Sequence, residues 1–482
     1  MRTILFFESR LLRAGSTPRI AVAFFAFAVV YALAHGLGER GDVQTQVDAV
    51  KTSQEAKWKA YRSEARELEA KRAAEGEPLD AYGSGPRSPY FVSKVYGVHI
   101  AAEPSALSAL AVGQRDLYPA AHKVAAGHSV ALSSSDALRN PLALAAGHFD
   151  FAFVLLYLMP LLVLALCYDL TASERESGTL RMVMAQPLAL RTLIGGKVFV
   201  RAGLVVAMVT VACVAGFLLA GSVDPSRFAL WLSAALLYAG FWFALSVVVN
   251  ALGRSAAANA MALATAWLVF VALIPTVVNA AASTLYPMPS RSTFVAAMRT
   301  EDESIRRMED AARQAFMADH PELTDNADEQ SAWVTASVVR DELTRKRLQP
   351  LIDRYAIQRD HQQSLLARLE LLSPTLLTHA LLHDIAGTSS VQQRAHIEQI
   401  EAFQGRWQAH FLPFLFENRP VNAADYASLP QFQPTVEPTS AVAKRWLGSG
   451  AILAGLVILL SLLGERRVIG GVHGSVLEQK RE

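Results

Sequence analysis

Apolar positions along this chain gather into six long runs separated by polar stretches. A bilayer core of about 30 Å needs roughly 20 mostly apolar residues as helix, and the runs 20–37, 149–167, 198–221, 228–250, 256–282 and 446–464 meet that test. The first, IAVAFFAFAVVYALAHGL, lacks the small-residue cleavage signature and tight basic start of a signal peptide, so it reads as a retained span. Two polar segments, 38–148 and 283–445, are far longer than ordinary connections and should be folded units.

Helical spacing recurs inside both. In the first, Val43, Val47, Val50, Trp58, Tyr61, Ala65 and Leu68 fall on one face, and a turn-rich stretch follows. In the second, Ile305, Met308, Ala312 and Phe316, then Leu348, Leu351, Ile352 and Tyr355, then Leu365, Leu366 and Leu369 repeat the pattern, and strand signals are sparse. The Pro-rich text from Pro413 to Pro438 reads as an extended lead into the last span. The fold class expected is an all-α integral membrane protein with six transmembrane helices and two large, mainly helical extracytoplasmic segments.

Composition agrees. Apolar residues make up 52% and charged residues 18%, mean hydropathy is +0.25, and one soluble core cannot hide that much apolar surface. The net charge of +2 gives no basic field for nucleic acid, which is excluded as a partner. The two cysteines, Cys167 and Cys213, lie in apolar runs as small hydrophobes, and the polar segments have none to bridge.

Charge near the span ends sets orientation, because basic short loops stay in the cytoplasm. Arg2, Arg10, Arg13 and Arg19 precede span one, Arg175, Arg181, Arg191 and Lys197 lie between spans two and three, Arg254 follows span four, and Arg466 and Arg467 follow span six. All fall on one side, which places 1–19, the loop 168–197 and the tail 465–482 in the cytoplasm. Lys444 and Arg445 dissent, but long loops cross largely regardless of charge. Residues 1–19 put Ile4, Phe7 and Leu11 on one face, as in a helix lying at the headgroups, against the alternative of a disordered basic start.

The loop 168–197 is the most informative segment. Thr171 followed by Glu174 fits a capping box, Gly178 interrupts that helix, and Pro187 can open another. The expected product is a short helix parallel to the membrane that presents Glu174, Arg175 and Glu176 to the cytosol. The bland alternative is a solvated turn that obeys the charge rule.

The run DLTASERESGTL from Asp169 to Leu180, with Gln186-Pro187 and Gly196-Lys197 downstream, resembles the loop of type-2 ABC exporter permeases, notably those grouped with copper-enzyme maturation systems. The stretches SPYFVSKVYG, LAVGQRDLYP, NPLALAAGHFD and LLSPTLLTHALLHDIAGT resemble a subgroup named only for a domain of unknown function. The resemblance implies a bacterial inner-membrane protein whose loop couples to a separate cytosolic ATP-binding subunit, with a second permease copy or a related permease completing the pathway. Glu174, Glu176, Gly178, Thr179 and Pro187 carry the match, with Arg175 among them. It does not imply a cargo. A nucleotide site of this chain's own is not expected: Gly195-Gly196-Lys197-Val198 lacks the first glycine and the hydroxyl of a phosphate-cradling loop. No cofactor is therefore expected on this chain, and ATP would be used by the partner.

Other residues invite weaker readings. His379 and His383, four apart with Asp384 adjacent, could share a metal, but no third ligand is fixed by spacing and ordinary core or surface histidines are preferred. That trio would also carry a rival reading as an outer-face enzyme. His148 and Asp150 sit at the mouth of span two, where a boundary role is favoured over a functional one. Pro160 and Pro275 break backbone bonds within spans, either shaping a pathway or merely kinking a helix. The small residues from Ser255 to Ala260 suggest close helix packing. A membrane-anchored sensor or scaffold, binding a partner through the outer segments, is the alternative to a permease.

Overall fold

The computed structural model describes residues 2–75, 85–113, 121–127, 148–184, 190–287, part of 296–318, 329–417 and 419–479. It is overwhelmingly helical, and six helices are long and apolar enough to cross a membrane: Ser16–Glu75, Phe151–Glu176, Arg191–Leu219, Pro225–Asn250, Ala256–Leu285 and Thr439–Val468. We number these spans one to six.

Helix α1 (Arg2–Ala14) precedes α2 (Ser16–Glu75), which holds span one. The 60 residues of α2 run unbroken well past the apolar stretch, a length of about 90 Å at 1.5 Å per residue. Three glycines near its middle do not break it. Gly36 is needed for contact, because a Cβ there would sit 1.9 Å from the carbonyl oxygen of Ala109. Beyond the span, the expected stripe is the face turned inward: Val47 and Ala65 are fully buried, and Val43, Val50, Trp58, Tyr61 and Leu68 are half-buried.

The spans alternate in direction. At one end Asn250 of span four donates to the carbonyl of Cys167 at 2.8 Å and accepts from Asn259 of span five at 3.2 Å. Gly464 of span six lies against Val247 there. At the opposite end Arg40 of α2 donates to Ala220 O at 2.9 Å, and Arg227 donates to Ile385 O at 3.0 Å and Glu437 O at 3.3 Å. We call these the loop end and the domain end. Spans two and four form the centre, with 67% and 56% of their most apolar stretches buried, against 17% for spans five and six. Trp231, Tyr238 and Trp242 are fully enclosed, while Phe24, Phe27, Met261, Leu268 and Leu462 point outward, an apolar belt that demands an apolar surrounding. Cys167 and Cys213 are both buried and free.

The two polar segments share one core at the domain end. The first supplies a π-turn (Phe91–Tyr96) and an antiparallel hairpin of β1 (Val98–Ala101) and β2 (Ala121–Val124), with Val98 opposite Val124. This hairpin adds strands to a segment read as helix and turns. The second segment supplies α5 (Glu329–Leu369), α6 (Pro374–Ala386) and α7 (Ser390–Phe416), following α3 (Ala172–Glu176) and α4 (Thr179–Met184) of the short loop. Val92, Ile100 and Val124 pack with Ile400, Phe403, Trp407, Phe411 and Val421, and Trp58 closes the cluster. Trp407 Nε1 donates to Ser93 O at 3.1 Å, and Gln404 and Gln408 donate to the carbonyls of Ala125 and Ala126 at 2.9 and 2.8 Å.

The stripe on α5 is likewise inward, with Leu348 buried and Leu351, Ile352, Tyr355, Leu365, Leu366 and Leu369 half-buried. Of the residues expected at 305–316, only Met308 is described, and it is exposed. α7 starts with a complete Ser389/Gln392 capping box and continues through Pro413 to Phe416, so the extended lead begins at about 419 rather than at Pro413.

α6 joins this unit to the spans. Its Leu377, Leu381, Leu382 and Ile385 belong to the core of the bundle. Arg445, at the start of span six, grips it: Nε and Nη2 donate to the two carboxylate oxygens of Asp384 at 2.7 and 2.9 Å, and Nη1 and Nη2 donate to Glu437 at 2.6 and 2.7 Å. These hydrogen bonds hold the Glu437 carboxyl below its usual range. One dissenting charge of the orientation pattern is thus matched by two carboxylates.

Candidate functional site

The segment 168–184 closes the loop end, and the helix is interrupted at Gly178 as its sequence predicts. α3 and α4 are two short helices, separated at Gly178, whose φ of +74° is a left-handed conformation that glycine adopts without strain. No Cβ clash is involved, since nothing lies within 4 Å. Ser177 Oγ donates to Ser173 O at 2.8 Å, and Thr179 Oγ1 donates to Glu174 O at 3.4 Å, so both hydroxyls close the end of α3. Gln186 and Pro187 lie outside the described residues.

The expected capping box does not form. Thr171 is buried, makes no side-chain cap bond, and leaves Glu174 available for another partner. That partner is Lys197 of span three, whose ammonium forms an ion pair with Glu174 and donates to Leu170 O at 2.8 Å. The other carboxylate oxygen of Glu174 is buried without a hydrogen-bond partner among the described residues. Glu174 therefore points into the protein, correcting the reading that it is offered outward. The reason is the long-range attraction of a nearly buried lysine, which a local cap cannot match.

Arg175 and Glu176 do lie at the surface, but neither is idle. Glu176 accepts the backbone N–H of Ala256 at 2.8 Å, beside Ser255, whose hydroxyl accepts from Ala258 N at 3.2 Å. Together they satisfy donors that the first turn of span five leaves open, where a negative charge is favoured. The guanidinium of Arg175 lies over Gly253, 3.1 Å from the place of a Cβ, in the turn between spans four and five.

A second charged knot lies beside the first. Arg201 of span three donates to Glu8 of α1 at 2.7 Å, to Asp169 at 2.9 Å and to the carbonyl of Leu166. Glu8 is only 3% exposed. On α1 it is thus Glu8 that packs inward, while of the apolar face Phe7 and Leu11 are exposed and Ile4 is half-buried. Sequence reasoning missed Glu8, Arg201, Asn250 and Asn259. The signal was present for Arg201, a charge inside an apolar run, and for Glu8, the one acid in a basic start.

The two prolines show why broken backbone bonds are tolerated. Pro160 has no N–H for the carbonyl of Leu156, four residues back, and Tyr238 Oη of span four donates to that carbonyl at 2.9 Å. Thr375 of α6 is 3.0 Å from the same hydroxyl. Pro275 follows the π-turn Leu268–Leu273, and Ser373 Oγ donates to Phe270 O at 2.7 Å. Both irregular segments are therefore supported from the start of α6, and Trp267 Nε1 joins them by donating to Tyr157 O at 3.2 Å.

His379 and His383 face each other with ring centroids 4.2 Å apart. His383 Nδ1 lies 3.0 Å from Thr388 Oγ1, and burial, then the neighbouring His379, holds its pKa well below the ordinary value. Asp384 is committed to Arg445 and to Ser389 Oγ at 3.1 Å. It does not turn toward a site shared with the two imidazoles. Asp150 caps span two, accepting from Phe153 N and Val112 N, both at 2.8 Å. Burial pushes its carboxyl up to about 6 against those two bonds.

Residues 291–435 match the family model described as Domain of unknown function (DUF3526). The match covers the second polar segment and ends before span six. No curated protein matches the chain.

Proposed function

We propose that this chain is the membrane-spanning permease subunit of an ATP-driven ABC exporter, seated in a bacterial inner membrane with both termini and the loop end in the cytoplasm. A separate ATP-binding subunit docks on 168–197 and supplies the energy, and a second copy or a related permease completes the pathway. The observation that carries the reading is mechanical. The loop is bonded at Glu174 to span three and at Glu176 to span five, while Arg201 ties the adjoining turn to α1. A push on this one segment is shared among several helices. The DUF3526 match agrees with the permease resemblance of the sequence without establishing it.

The docking surface is formed by what remains outward: Ser173, Arg175, Thr179 and Met182, the last 73% exposed. The single substitution Met182→Asp should abolish co-purification with the ATP-binding subunit while leaving thermal unfolding of the permease unchanged. Retained association would remove the coupling assignment and favour a membrane-anchored scaffold, a reading supported by the large unit at the domain end. Reactivity of a cysteine at Met182 toward an impermeant reagent applied to intact cells would reverse the proposed orientation.

A further inference from the structure

His35 and Glu39 stand four residues apart on α2, at the end of the apolar stretch of span one, and His148 lies on the segment leading into span two. One ligand atom from each lies within 4.8 Å of the other two, and among the described residues no other three such side chains converge in this way. The geometry points to a binding site for a transition-metal dication, Zn2+ by preference, between spans one and two at the domain end.

The spacing of His35 and Glu39 puts both on one helical face. What brings His148 to that face is a rigid splint. The backbone at Ala109 touches α2 at Gly36, next to His35, so closely that no side chain fits between. One residue on, Leu110 O accepts from Ala152 N at 2.9 Å, and two further on Val112 N donates to Asp150. The strands of chain carrying the three ligands are thereby held on both flanks. Aromatic rings fix the imidazoles further. Tyr31 stacks on His35 at 6.1 Å and 11° and meets Phe149, the neighbour of His148, edge-on at 5.4 Å.

Donor chemistry selects the ion. Two imidazoles with one carboxylate suit Zn2+ and its neighbours, whereas Mg2+ and Ca2+ call for oxygen ligands. Bonds of about 2.0–2.1 Å in a tetrahedral site place ligand atoms about 3.4 Å apart, a closure that side-chain rotation achieves from the present separation. All three residues are half-buried, so solvent reaches the site and a fourth position stays open for water or a ligand. A bound ion would clasp α2 to the start of span two. This inference stands whether or not the chain is a permease.

The test uses the full-length protein in detergent, stripped by chelator and equilibrated with Zn2+, with bound metal measured directly and Co2+ absorption as a second probe. Zinc should bind in equal number with the chain, resist millimolar Ca2+ and Mg2+, and be lost in His35→Ala and in His148→Ala. Tyr31→Ala, which removes only the orienting ring, should weaken binding by about tenfold. The pair His379→Ala/His383→Ala should bind as the native protein does. Zinc retained by both single histidine variants, or lost in the His379/His383 pair, overturns the assignment. Should the variants fail to fold, X-ray absorption of the zinc-loaded native protein decides: two imidazoles and oxygen at about 2.0–2.1 Å are expected, and a spectrum without imidazole scattering refutes the site.

Discussion

At the loop end, the ion pairs that join the helices are largely shielded from water, beside the neutral amides of Asn250 and Asn259. Arg201 is 9% exposed and its partner Glu8 3%. At the domain end, the corresponding arginine, Arg445, is 37% exposed and shares two carboxylates, while Arg40, Arg227 and the neutral hydroxyls of Tyr238 and Ser373 meet carbonyls. A dry charge is expensive to orphan, whereas a wet one is rescued by solvent. The loop end should therefore be held by few, individually indispensable residues, and the domain end by many replaceable ones.

The sharpest way to break this contrast is to remove each arginine. Arg201→Met leaves Glu8 and Asp169 facing one another with no cation and should cost about 3–5 kcal/mol. Arg445→Met should cost less, about 1–3 kcal/mol, since Glu437 keeps contact with water and the nearly buried Asp384 keeps the Ser389 hydroxyl. Unfolding of both variants in one detergent measures the order, and an equal or reversed order would end the distinction. The Arg201 variant should also free α1, read as new protease cleavage between Ala14 and Ser16.

How far these two ends were legible in the sequence follows from the range of the interactions. Periodicity is local, so the buried stripe of α2, from Val43 to Leu68, and that of α5, from Leu348 to Leu369, could be read from spacing alone. The six apolar runs were legible for the same reason. Partner choice is not local. Glu174 and Thr171 match a capping box at a glance, yet Glu174 belongs to Lys197, 23 residues away. The same holds for β1 and β2, four residues each, whose pairing joins positions with little pattern of their own, and for the common core of Val92 with Trp407. Prolines stood between: sequence placed Pro160 in a span but could not name Tyr238 as its compensator.

That compensation gives a smaller and more specific test. Tyr238→Phe removes one hydroxyl from a fully buried ring and leaves Leu156 O without the donor that Pro160 cannot supply, at about 1–3 kcal/mol. Pro160→Ala restores an N–H for the same carbonyl. The double variant should then recover much of the loss, a coupling of about 1 kcal/mol or more in a thermal-unfolding cycle. Simple additivity would mean that the tyrosine bond is incidental and that the π-turn of span two, Val154–Leu158, satisfies itself.

The smallest effect expected is one of pH, and it belongs to the domain end. Glu370 lies just before α6, where burial, then the nearby Asp384, pushes its carboxyl up from 4.5 to about 7. In the folded protein the group holds its proton over a range where the unfolded chain has released it. Between about 4.5 and 7 the native state thus binds more protons, so stability falls as pH rises through this window. Below it both states are protonated, and above it the penalty is complete. Glu370→Gln keeps the shape and removes the titration, so its advantage over the native protein should be near zero at pH 4.5 and grow toward pH 7.5. Arg445→Met should enlarge the native protein's loss, because Asp384 without its guanidinium repels the Glu370 carboxylate more strongly. Melting temperatures of the three proteins across that range measure both effects, and a Gln variant that tracks the native curve in parallel would show that Glu370 ionises as freely as in the unfolded chain.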